Sequence, residues 1–197
     1  MEPDNDTLEY SPKELCSRIA VLTKCIMDFW DDGCWGWAHK DVANLLNKSM
    51  LRWQTSLARS LILWIDAGSE GELILAWANL GALVEGQLKL FLCVYYNDYR
   101  VDDEAIRKKR QLMDPDGCTL ERLRQFFNKR IWVCGTNWNS YVELVQNRRN
   151  VIHAFKQHDI GTFQEWNETL RLHLSFVRDT GGRLPYPNEY FAGLREK

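Results

Sequence analysis

Residues 73–96 read LILAWANLGALVEGQLKLFLCVYY, the longest apolar stretch in the chain. Leu73, Trp77, Leu80, Val84, Leu88 and Phe91 recur within it at spacings of three and four, the period of an α-helix rather than of a strand. A helix that is apolar on nearly every side belongs in the middle of a protein or in a bilayer. Asn79, Glu85, Gln87 and Lys89 lie near its centre, where charges are costly in a membrane, so the reading is a buried central helix. Ser69-Glu70 supplies its start.

Working outward, the same period continues in both directions. Ser11-Pro12-Lys13-Glu14 spells a helix start, with a capping Ser, Pro at the first helical position and Glu three residues on. Leu15, Ile19, Leu22, Ile26 and Phe29 follow it, and Asp31-Asp32-Gly33 ends the pattern. A second helical region spans about residues 40–66, with an interruption at Asn47-Lys48-Ser49 and a stripe of Leu46, Met50, Trp53, Leu57, Leu61 and Trp64. Residues 98–118 read as a connection that includes the Asp114-Pro115-Asp116-Gly117 turn. Helices are expected near 119–132 and 138–155, and a last one from the capping spelling Thr162-Phe163-Gln164-Glu165 to Gly181-Gly182. No strand of useful length is legible. The expected fold is all-α, a single-domain antiparallel helical bundle with appended helices and irregular termini at 1–10 and 183–197. Trp30, Trp53, Trp64, Trp77 and Trp166 fall on helical stripes and are expected in the core.

Composition narrows the function. The 197 residues carry 25 Lys+Arg against 27 Asp+Glu, a net charge of -2, so the chain cannot hold nucleic acid by bulk charge and any such contact must be local. The opening MEPDNDTLEY has acids and no base, the reverse of a secretory signal, and the expectation is a cytoplasmic protein with no membrane contact. Cys16, Cys25, Cys34, Cys93, Cys118 and Cys134 are dispersed, without a C-x-x-C pair, which fits core thiols in a reducing compartment. Cys34 and His39 form a lone pair without the partners zinc needs, and no metal and no cofactor are expected. Nucleotide-cradling glycine loops, a G-x-S-x-G elbow and an H-E-x-x-H pair are all absent from the sequence.

The stretch with chemical content is 141–155, YVELVQNRRNVIHAF. On a helix turning about 100° per residue, Tyr141, Leu144, Val145, Val151, Ile152 and Phe155 gather on one apolar face, and Arg148 projects from its centre. A guanidinium there requires a carboxylate partner, a water-filled groove or an anionic ligand. Glu85, which interrupts the central helix, is one candidate partner, although Lys89 stands four residues beyond it. His153 lies about 140° around and about 7.5 Å along the axis from Arg148. Arg149 and Asn150 are spaced to neighbour its ring, and an amide there could fix the imidazole tautomer.

Arg148-Arg149-Asn150-Val151-Ile152-His153 resembles the Arg-x4-His signature of HEPN domains (higher eukaryotes and prokaryotes nucleotide-binding), which also sits on a late helix of an all-α bundle. The resemblance covers about residues 11–180 at the level of the fold and about 147–155 at the level of the motif. Many HEPN motifs place Asn, Asp or His directly after the Arg, whereas here Arg149 follows Arg148 and the Arg-Asn pair is Arg149-Asn150. The four-residue gap favours Arg148 and His153 as catalytic residues, with Arg149 as the alternative arginine and Asn147 and Asn150 in support.

The resemblance implies a metal-independent endoribonuclease, acting as a homodimer with a composite site and serving as a toxin or phage-defence effector. An antitoxin or regulatory partner would accompany that role. Attack of an RNA 2′-hydroxyl on its own phosphorus would leave a 2′,3′-cyclic phosphate. An imidazole, with an ordinary pKa near 6.5, suits the proton transfer, and an arginine suits the developing phosphate charge. The alternative is a catalytically inactive HEPN-like module that binds nucleotide, RNA or a protein partner. Residues 105–130 hold eight basic and three acidic residues, and Arg107, Lys108, Lys109, Arg110, Arg122 and Arg124 are the candidate RNA contacts.

Overall fold

The computed structural model describes residues 5–31, 39–132, 138–153 and 158–186. Eight α-helices and one two-residue hairpin form an all-α architecture among them. Helix α4 (Glu70–Val94) is its axis. Ser69 accepts a hydrogen bond from the Glu72 amide while the Glu72 carboxylate returns to the Ser69 amide at 2.9 Å, a complete capping box. From there α4 buries Leu73, Trp77, Leu80, Val84, Leu88 and Phe91, with Ala76, Leu83 and Leu90 buried on its other sides. Each large side chain so removed from water contributes about 1.5–3 kcal/mol. Some of its polar groups are paired, while Gln87 Nε2 and Asn79 Oδ1 are buried without a hydrogen-bond partner among the described residues. Asn79 donates to the Ser60 hydroxyl at 2.8 Å, and Glu85 and Lys89 pair at 2.8 Å. No helix among the described residues is long and apolar enough to cross a membrane.

Helix α1 (Pro12–Asp31) begins at a second complete box between Ser11 and Glu14, and packs along α3 (Leu51–Ser60) and α8 (Phe163–Gly182). The helical region expected over 40–66 is interrupted where the sequence placed the interruption. Helix α2 (Lys40–Lys48) stops at Ser49, whose extended backbone (ψ 140°) restarts the chain in a new phase, and a 3₁₀ turn at Leu61–Trp64 follows α3. The new phase turns Leu51 and Ala58 inward and leaves Met50 and Trp53 facing water. Trp53 is 58% exposed, so its expected place in the core is corrected by this break, while Trp30, Trp77 and Trp166 are buried as expected.

Beyond α4 the chain makes α5 (Tyr96–Val101), then strands β1 (Arg107–Lys108) and β2 (Gln111–Leu112). The hairpin turns through Lys109 and Arg110 at φ 50° and 69°, a conformation usually left to Gly or Asn. Helices α6 (Leu120–Arg130) and α7 (Trp138–Arg149) pack on one another, α7 crosses α4, and a 3₁₀ turn (Asn150–His153) extends α7. The first residues are not wholly irregular: Asn5–Glu9 forms a 3₁₀ helix, with the Thr7 and Tyr10 carbonyls receiving Arg171. Expectations for Cys34, Cys134, Phe155 and residues 187–197 lie outside the described residues.

Candidate functional site

Helix α7 delivers the two arginines to opposite neighbours. Arg148 turns toward α8, where its Nη2 donates to both Glu165 oxygens at 3.0 and 2.9 Å. Its Nη1 donates to the Asp159 carbonyl and pairs with the Asp159 carboxylate, both at 2.6 Å. The partner that an arginine on an apolar face demands is therefore Glu165 with Asp159, not Glu85. The side chain is only 13% exposed. Burial opposes its charge, but the hydrogen bonds it donates to Asp159 and Glu165 outweigh that and raise its pKa above the ordinary value. Gly161, at φ 70°, closes the loop over the pair, and a Cβ there would strike Glu165. At the start of α8 only half a capping box forms. The Thr162 hydroxyl accepts from the Glu165 amide at 3.1 Å, while the Glu165 carboxylate goes to Arg148.

Arg149 turns toward α4. Its stem lies across Gly81, where any Cβ would collide with it, and its Nη1 reaches Glu85 at 2.5 Å. Glu85 is shared with Lys89. Burial raises the Glu85 pKa, yet the hydrogen bonds and charges of Lys89 and Arg149 prevail and hold it below the usual carboxylate value. Arg149 keeps 31% of its side-chain surface open to solvent.

The 3₁₀ turn that follows packs Val151 inward and leaves Asn150, Ile152 and His153 exposed. In a 3₁₀ helix residues three apart eclipse, so Asn150 and His153 project from the same side. Asn147 is exposed on the last full turn of α7. Of the expected apolar face, Tyr141, Val145 and Val151 are buried and Ile152 is not.

The basic residues of 105–130 do not form one surface. Arg107, Lys108, Lys109 and Arg110 cluster on the exposed hairpin. Arg124 is largely enclosed, donating to Glu121 at 3.1 and 3.0 Å and to Asn139 at 2.9 Å. Arg122 donates to the Met113 sulfur, and Lys129 and Arg130 pair with Glu104 and Asp102. Among the described residues no group of three or more His, Cys, Asp and Glu side chains could hold a metal ion. The Cys16 and Cys93 thiols are pushed up to about 12 by burial, which keeps them protonated and inert. His173 is a core histidine whose Nδ1 pairs with the Tyr141 hydroxyl at 2.7 Å.

Sequence reasoning placed Arg148, Arg149 and His153 on one late helix but missed Asp159 and Glu165, whose relation to Arg148 arises only when the 158–162 loop folds back. Comparison with known proteins gives no match: no family model, no curated protein and no solved structure matches this chain.

Proposed function

We propose that this helical bundle is a metal-independent endoribonuclease whose working residues are Arg149, Asn150 and His153, with Arg148 as a positioning residue. The observation that carries the reading is the difference in access along one helix end. Arg148 is enclosed, with both terminal nitrogens held by Asp159 and Glu165, whereas the next residues leave an arginine, an amide and an imidazole open to solvent in consecutive turns. In this reading His153 moves the proton of the RNA 2′-hydroxyl, and Asn150, eclipsed with it, orients the ring. Arg149 exchanges Glu85 for a phosphate oxygen, which Lys89 makes less costly by continuing to neutralise Glu85. A second copy of the chain would bring a second such set to the same phosphate.

Incubation of the purified protein with mixed RNA in EDTA, followed by mapping of the ends, tests this. The expected result is cleavage that leaves 2′,3′-cyclic phosphates and is lost in His153→Ala at unchanged thermal stability. Intact RNA, or cleavage undiminished in His153→Ala, would exclude it. The paired state of both guanidiniums also favours a second reading, a catalytically inactive module in which Arg148 and Arg149 only fasten α7 to α8 and α4. That reading predicts no RNA cleavage and a loss of stability in each arginine variant.

A further inference from the structure

A cleft of 440 Å³ opens between α3, α4 and the Pro115–Gly117 turn. Its size is in the range that encloses a small ligand. Trp53 and Met50 form its outer wall and Leu90 part of the inner one. The exposure of Trp53 is unusual here, since Trp30, Trp77, Trp132, Trp138 and Trp166 are all buried.

Two cations, Lys48 and Lys89, and one carboxylate, Asp116, line the cleft, a small positive excess. Lys48 lines it and Arg52 stands exposed beside Trp53, and neither has a carboxylate partner among the described residues. Gln54 also lines the cleft, its amide seated on Gly86 where a Cβ would collide with it and its Oε1 buried there. A planar ring with an attached anion matches the exposed indole and the two unpaired cations, which is the chemistry of a nucleotide. A relay of side-chain contacts links the wall of the cleft to Arg149. Lys89, on that wall, donates to the Asp116 carbonyl at 3.0 Å and to Glu85 at 2.8 Å, and Glu85 receives Arg149. Lys89 and Glu85 are one turn of α4 apart, about 6 Å.

We propose that the cleft holds one unpaired nucleotide of an RNA strand, its base stacked on Trp53 and its phosphate beside Lys48. The strand then continues toward Arg149 and His153, and duplex RNA, whose bases cannot splay onto the indole, is excluded. The destination of the strand rests on the endoribonuclease reading, but the binding does not.

The test is fluorescence anisotropy of a labelled 2′-O-methyl oligoadenylate hexamer, which cannot be cut, with the wild-type chain and with Trp53→Ala, Trp53→Phe and Lys48→Gln. Adenosine monophosphate and inorganic phosphate serve as competitors, and sedimentation reports the oligomeric state. Saturable binding is expected, about fivefold or more weaker in Trp53→Ala and partly kept in Trp53→Phe, as loss and retention of one stacking contact require. Lys48→Gln is expected to flatten the salt dependence. Unchanged affinity in Trp53→Ala would overturn the proposal. So would adenosine monophosphate binding as tightly as the hexamer, which would assign the cleft to a free nucleotide. Inorganic phosphate competing as well as the nucleotide would reduce it to a patch of charge. A dimer lost in Trp53→Ala, without oligonucleotide binding, would assign the surface to copy–copy packing. Hexamer binding with no cleavage of unmodified RNA would count for the cleft and against the nuclease reading.

Discussion

Arg148 and Arg149 are consecutive, equally charged and carried by the same helix, yet the fold uses them differently. Arg148 meets two carboxylates and a carbonyl beneath a loop closed by Gly161, and little of it reaches water. Arg149 lies across Gly81 and meets one carboxylate that already has Lys89 as a partner, with about a third of its side chain open. Sequence spacing favours the first as a catalytic group, whereas accessibility favours the second. Both arginines find a partner within the chain, and it is the deeper enclosure of Arg148, 13% exposed against 31% for Arg149, that takes it out of reach of a ligand.

The comparison can be broken most forcefully at Gly81. A large side chain there would collide with the Arg149 stem and force α7 away from α4. Gly81→Leu is therefore expected to cost about 3 kcal/mol or more, seen as a large fall in thermal midpoint, while Gly71→Leu, which has open space, should cost much less.

The next effect is at Arg148. Arg148→Ala leaves Glu165 without its cation, and losing that bidentate charged contact of an enclosed guanidinium is expected to cost about 1.5–3 kcal/mol in denaturant unfolding, to which the exposed Asp159 adds little. Arg149→Ala should cost less, about 1 kcal/mol, because Glu85 keeps Lys89. Equal losses in the two variants would remove the distinction between them.

Acid titration separates these pairs from the rest of the anchorage of α7. His173 is held neutral by burial, its pKa lowered to about 3 from the ordinary 6.5. The unfolded chain therefore takes up a proton as pH falls through 6.5 while the folded chain does not, and stability should decline from there toward pH 3. Glu85 and Asp159 have folded pKa values below their ordinary 4.5 and 3.8, so their contribution is complete above that range and is lost as pH falls through the folded values. Unfolding followed by pH should accordingly show His173→Phe flattening the slope between pH 6.5 and 4.5, and Arg148→Ala changing it only below about 3.8, where Asp159 takes up its proton.

Much of this arrangement is legible in the sequence because it is local. The boxes at Ser11–Glu14 and Ser69–Glu72 and the all-round apolar helix fix their elements through neighbours three and four residues away. The break after Asn47-Lys48-Ser49 is legible too, but its consequence is not. A re-phased α3 exposes Trp53, and no count of spacings shows which phase the second helix will take. Glu165 is the clearest case of tertiary override, since its capping position is written in the sequence while its carboxylate is claimed by Arg148 from another helix. The hairpin is missed because Lys109 and Arg110 occupy backbone positions that Asn or Gly normally announce.

The most direct measurement is the rate of RNA cleavage in EDTA by Arg148→Lys and Arg149→Lys, each compared with the wild-type chain at a temperature where circular dichroism shows both folded. The account predicts that Arg148→Lys retains most of the activity while Arg149→Lys loses about a hundredfold or more, because a lysine cannot reproduce the guanidinium fork on a phosphate. Activity lost in Arg148→Lys and kept in Arg149→Lys would contradict it and return the catalytic role to the enclosed arginine.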